Sequence, residues 1–279
     1  MKIRFFILFS LLLVLKLNLF AQYDVGFADV NLHPDVKKII TEIETKTGKT
    51  IQVNYGEFET NNNFTFGTSF INNSGRALVN IRHDLRYQAK KLEVVVTHEL
   101  LHLKLRVNGF PVFLWSSTVK TAKGLAINTE QSTVNDLLSL IEHQVFKAEM
   151  EKYDLFKAFN LAGDTAKSAR ANKNKRDSQA DSLNYARAIL EYNNPADTEE
   201  VRKIFFANNW NRALKDGKQL AEIIQTFPLK TPNEVEKVFL RCLLILFPLP
   251  NSNYKYKLTI DAKAKFERQM IISITKRKG

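Results

Sequence analysis

The sequence predicts an α+β protein, and three observations carry that prediction. The first half of the chain switches between the hydrophobic period of a helix and the two-residue alternation of a strand. The second half is dominated by apolar residues at helical spacing, with turn signals between the segments. Composition is that of a packed chain: 279 residues, 44% hydrophobic, with 10 Gly and 7 Pro, which excludes a disordered or collagen-like polymer. A single cysteine, Cys242, excludes an internal disulfide framework and a thiolate-built zinc finger. The formal charge of +12, from 41 Lys and Arg against 29 Asp and Glu, is compatible with acidic partners or anionic surfaces and is silent about fold.

Residues 1–21 read as a signal peptide. Lys2 and Arg4 form a positive start, and the apolar run 5–15 has the length of a secretory core, too short to span a bilayer before Lys16 interrupts it. Ala21-Gln22 is the expected cleavage point, and no cysteine stands there for a lipid anchor. The expected location is therefore outside the cytoplasm, periplasmic or secreted, and membrane-tethered if the segment stays attached. Export argues against nucleic acid as the partner behind the basic balance.

A helix is expected over 35–47, with Pro34 in its first turn, an apolar stripe of Val36, Ile39, Ile40 and Ile43, and Gly48 as its stop. Strands are expected over 50–55, 65–71 and 76–82, the last two joined by the turn Asn72-Asn73-Ser74-Gly75. The stretch 85–107 reads as one long helix despite Val94-Val95-Val96, because Asn108-Gly109 supplies a stop and Pro111 follows. Residues 110–128 read as a loop with an aromatic start. A second long helix is expected over 133–153, on the stripe Val134, Leu137, Leu138, Ile141, Val145 and Ala148. The polar, basic stretch 164–182 is the expected internal boundary, which gives a core over 22–163 and a mostly helical portion over 164–279. Within that portion helices are expected at 178–193, 197–208, 211–227 and 232–247, and short strands at 258–260 and 270–275.

One motif carries chemistry. Val95-Val96-Thr97-His98-Glu99-Leu100-Leu101-His102-Leu103 contains H-E-x-x-H inside the expected helix. Positions four apart share a helix face, so His98 and His102 can aim at one metal ion. Glu99 is rotated by one residue, which takes it off the ion and within reach of a water held there, the place of a general base.

With that motif, residues 50–150 resemble the zincin metallopeptidases, and the helix, strands, helix order is similar to a minimal gluzincin-type core. The resemblance implies a Zn2+ cofactor, a peptide or protein substrate, and an edge strand before the motif helix that pairs with extended substrate. The segment 76–82 stands where that strand is expected. Leu105 and Asn108 occupy the places where a metzincin carries Gly and His, so that branch does not apply.

The third ligand is a choice between neighbours on the second long helix. With Ile141 on the core stripe, Glu142 falls at its edge and His143 on the far side. A helix roofing a metal cleft turns its ligand away from its own core, which favours His143. The gluzincin resemblance favours Glu142, although Phe146 stands where an Asp usually follows. The expected site is thus Glu99 as catalytic base with His98, His102 and His143 on the metal, and Glu142 as the alternative ligand.

Other residues read more plainly. His83 is expected to cap the turn into the motif helix, with an oxyanion-donor role as the lesser reading. Tyr153 is expected to pack. Phe110, Phe113 and Trp115 are expected to plug the core, and the basic run 167–176 to be a solvated surface, with contact to an anionic membrane or envelope as the minority reading. Cys242, among leucines, reads as a buried thiol. The competing function is an exported binding protein that keeps a zincin-like shell without catalysis; Glu99, which a structural zinc site does not need, favours the enzyme.

Overall fold

The computed structural model describes residue 27 and residues 30–56, 67–115, 119–120, 126–127, 131–155, 161–175, 178–192 and 194–277. The expected signal segment lies outside the described residues. No helix among the described residues is long and apolar enough to cross a membrane. The architecture is α+β, with nine α-helices and two three-stranded sheets among the described residues. The chain splits into two compact units, Met1–Asn72 with Arg76–Leu100, and Asn73–Gly75 with Leu101–Gly279.

The first unit begins with helix α1, Pro34–Thr47. Pro34 enters at the first turn, where its missing N–H costs nothing, His33 Nδ1 accepts from the Asp35 N–H at 3.2 Å, and Gly48 closes the helix at φ 67°. Val36, Ile39 and Ile43 are buried as the stripe predicts. Three strands follow, β1 (Gln52–Gly56), β2 (Gly67–Ile71) and β3 (Ala77–Arg82). Their order is β1-β3-β2, with β3 parallel to β1 and antiparallel to β2.

This corrects one expectation: 77–82 is the central strand, not an edge. Its buried residues Ala77, Val79 and Ile81 alternate with half-buried ones, and pairing on both sides consumes the backbone groups a substrate would need. Among the described residues the edges of this sheet are β1 and β2.

A 3-10 turn, His83–Tyr87, precedes helix α2, Ala89–Val107, so the expected single helix from residue 85 is two elements. From Val95 to Leu103 only His98 is more than marginally exposed. A helix buried on nearly all sides gains enough from packing to override the weak propensity of three consecutive valines. Its end is a Schellman turn: Gly109 at φ 79° donates to Arg106 O, and Phe110 N–H to Leu105 O at 3.1 Å.

In the second unit the expected loop after α2 instead contains strand β4, Val112–Trp115, and a short ladder of β5 (Val119–Lys120) with β6 (Ala126–Ile127). The aromatic start is strand because it is core: Phe113 is fully buried and stacked on Phe239 with ring centroids 3.7 Å apart. Helix α3 runs over Gln131–Val145 and α4 over Lys147–Lys152, with a break at Phe146. The expected 133–153 helix is thus interrupted, and Ala148 is exposed rather than on the stripe.

The remaining helices are α5 (Leu161–Ala171), α6 (Gln179–Glu191), α7 (Pro195–Ala207), α8 (Asn211–Thr226) and α9 (Pro232–Leu246). The polar stretch beginning at residue 164 is therefore largely helical, and α6 to α9 match expectation within one or two residues. Capping boxes Ser178–Asp181 and Thr231–Glu234 start α6 and α9. Gly217 lets α8 cross close to α6: a Cβ there would lie 2.6 Å from the Ser182 carbonyl oxygen. Strands β7 (Tyr254–Ile260) and β8 (Gln269–Lys276) form a hairpin, longer than expected, and β8 also pairs parallel to β4. Helix α3 lies against β4, α6 and α9. That is where the candidate site is supported.

Candidate metal centre

His98 and His102 stand one turn apart on α2, and His143 is on α3. Each offers a ring nitrogen within 4.8 Å of those of the other two. The sequence-predicted trio is therefore brought together, and the rings of His102 and His143 have centroids 5.4 Å apart. Both are buried, whereas His98 is half-buried. Phe146, at the break after α3, lies edge-on to His102 at 5.1 Å and tilted on His143 at 5.6 Å, an apolar floor for the pair.

The Nδ1 atom of each histidine faces a carboxylate. His98 Nδ1 is 3.1 Å from Glu99 Oε1, His102 Nδ1 is 2.7 Å from Glu142 Oε2, and His143 Nδ1 is 2.8 Å from Glu191 Oε1. A carboxylate on Nδ1 of His102 and of His143 keeps the proton there and leaves Nε2 as the nitrogen with a lone pair to offer. Ser139 Oγ, 3.2 Å from His143 Nε2, is the group that must yield to an ion on that nitrogen.

Glu142 is not disposed as a ligand. It is 1% exposed, and both of its oxygens are taken: Arg106 Nη1 donates to Oε1, while Arg106 Nη2 donates to Oε2 at 2.9 Å beside His102. Arg106 is held in turn by the Pro111 carbonyl at 3.2 Å. Burial works to raise the Glu142 carboxyl, but the charge of Arg106 and the hydrogen bonds from His102 and Arg106 outweigh it and hold it below its usual range. Glu142 therefore stays ionised and fixes the ring of His102.

Glu99 is buried, and its backbone carbonyl accepts from Ser69 Oγ at 3.0 Å. Strand β2 passes flush against this turn: a Cβ on Gly67 would lie 2.9 Å from Val95 Cγ1 and 3.1 Å from Glu99 Cγ. Glycine is what allows a strand edge so close to the motif glutamate.

A zinc ion fits this donor set chemically. Three imidazoles with ring nitrogens within 4.8 Å of one another, two of them backed by buried carboxylates, are a common zinc environment.

Other sequence candidates stand apart from this cluster. His33 caps α1, and His83 is exposed with an edge contact to Tyr87. Tyr153 lies under Lys152 Nζ. Trp115 packs against Phe247 and Tyr256, and Cys242 is fully buried. Lys167, Arg170, Lys173 and Lys175 are exposed, with Arg170 paired to Glu200. Sequence reasoning missed Arg106 and Glu191. Arg106 carried a weak signal, a cation four residues beyond His102 on the same helix face; Glu191, 48 residues from its partner, carried none. No family model matches the chain, and no curated protein or solved structure matches it either.

Proposed function

We propose that this protein is a zincin-like, zinc-dependent metallopeptidase, exported after loss of residues 1–21, that hydrolyses peptide bonds in a peptide or protein substrate. The observation that carries the reading is the convergence of His98, His102 and His143, two of them from H-E-x-x-H on one helix face. These three residues would hold the ion. When bound there, zinc supplies Lewis acidity, lowering the pKa of a water it holds and polarising the scissile carbonyl.

The chain's own residues supply the rest. Glu99, once turned from His98 Nδ1 toward the ion, takes the proton of the attacking water and returns it to the leaving amine. Its burial excludes competing solvent, which strengthens that proton exchange. Glu142 and Arg106 keep His102 in one tautomer and one orientation. The order of α1, three strands and α2, followed by α3, agrees with a zincin-like core, with β2 rather than β3 as the strand edge nearest Glu99.

The test is zinc content of the protein lacking residues 1–21, with peptide hydrolysis measured on wild type and Glu99→Gln. One zinc per chain with turnover, and a Glu99→Gln protein that keeps the zinc but loses about 10²–10⁴-fold in kcat, is the expected result. His143→Ala should lose the metal. Zinc retained with no hydrolysis in the wild type would favour the exported binding protein; no zinc at all would end the metallopeptidase reading.

A further inference from the structure

The helices that follow α4 have no part in the motif, yet one of them reaches the candidate metal centre. Glu191 is the last residue of α6 and is 2% exposed. A carboxylate so far from solvent is costly unless its charge is answered. One answer is His143 Nδ1 at 2.8 Å from Oε1; the other is Arg187, one turn back on α6, whose Nε stands 3.3 Å from Oε2 as an ion pair without an aligned hydrogen bond.

This is the His102 arrangement over again. There, a buried glutamate holds Nδ1 of the histidine with one oxygen while an arginine neutralises it. Here the same three residue types meet from a different helix, the arginine as an ion pair rather than a two-pronged hydrogen-bond donor. Two independent buried Glu–Arg pairs, each aimed at Nδ1 of a neighbouring imidazole, are more than a link between helices requires.

We propose that Glu191 is the positioning residue of the third ligand: it fixes His143 with its proton on Nδ1 and Nε2 toward the metal, so that the portion after residue 163 is part of the metal centre. This rests on the metallopeptidase reading above in requiring that His143 bind metal. The role is indirect, because Glu191 acts through His143 and touches neither ion nor substrate. A neutral residue at 191 would leave the Nδ1 proton less strongly held.

The experiment compares zinc affinity of wild type, Glu191→Gln and Glu191→Asp, by competition with a chromogenic chelator, in the protein lacking residues 1–21. Thermal unfolding of the metal-free proteins is recorded alongside. Glu191→Gln, which keeps shape and removes charge, should bind zinc about 10–100-fold more weakly, and Glu191→Asp should recover part of the loss. With cobalt(II) in place of zinc, the visible d–d bands should shift in Glu191→Gln.

Unchanged zinc affinity and cobalt spectrum, with lowered metal-free stability, would make Glu191 a purely structural link and overturn the proposal. Wild type that binds no zinc defeats the metallopeptidase reading itself, and is seen before any variant is made. Should Glu191→Gln not fold, long-range 1H–15N spectra of the zinc-loaded wild type decide: a third histidine protonated at Nδ1 and ligated through Nε2 supports the proposal, and ligation through Nδ1 refutes it.

Discussion

Replacing Gly217 by alanine puts two well-known effects in opposition, and the structure decides between them. In an isolated helix the change is favourable by about 1 kcal/mol, because alanine restrains the unfolded chain and covers the backbone. In α8 the new methyl would lie 2.6 Å from the Ser182 carbonyl oxygen, 2.9 Å from Tyr185 Cβ and 3.1 Å from the Ala186 nitrogen. Ordinary contact begins near 3.4 Å. Two of those three atoms are backbone and the third is a Cβ, so no rotamer change can clear them. The helices must separate by a large fraction of an ångström along a crossing where Ser182, Ala186, Leu220 and Ala221 are all buried. Overpacking of this kind costs about 1–3 kcal/mol, and the rigidity of the neighbours points to its upper part. A net destabilisation of about 1–2 kcal/mol is expected. Urea unfolding followed by circular dichroism should show a lowered midpoint at unchanged slope. A midpoint equal to or above that of wild type would refute the close crossing of α6 and α8.

Three further outcomes are expected. Arg106→Met leaves the Glu142 carboxylate buried without its main counter-charge, so metal-free stability at pH 7 should fall by about 3–5 kcal/mol in urea titrations; a change under 1 kcal/mol would mean the pair is not buried as described. Wild-type Glu142, held below its ordinary 4.5, contributes stability above that value and loses it as pH falls through its lowered one. The difference between the two proteins should therefore shrink in acid. Cys242, whose thiol burial pushes up to about 12, should resist iodoacetamide at pH 8 in the folded protein and react fully in denaturant; rapid native labelling would place it at the surface.

The long helices and the strand pattern were legible in the sequence because each repeats a hydrophobic period over several turns or pairs. The expected starts of α6 and α9 fall within a residue of where their capping boxes set them. What was not legible depends on distant partners. Residues 112–115 read as a loop because a four-residue apolar strand has no period to declare; β8, which pairs with them, lies far along the chain. The same holds for β3, whose central position follows from β1 pairing on its far side and not from its own alternation. At the site, the i, i+4 histidines and the glutamate between them are local, so the motif was readable. His143 was preferred for being turned away from the core of α3, yet it is buried there, because α6 supplies Glu191 to receive it. Burial that is polar and satisfied looks in a sequence like exposure.

The parallel pairing of β4 with β8 bears on how the second unit can form. Val112 finds its register partner at Gln269, nearly the whole length of that unit later, so the sheet beside α3 is among the least local contacts in the molecule. Loop-closure entropy must be met before such pairing is rewarded, which slows folding relative to the local helical hairpins that precede it. Helices α5 to α9 can associate early, since they are neighbours in sequence. The β4 strand, with Phe113 on its buried face, must wait for β8 and meanwhile presents apolar edge to its surroundings.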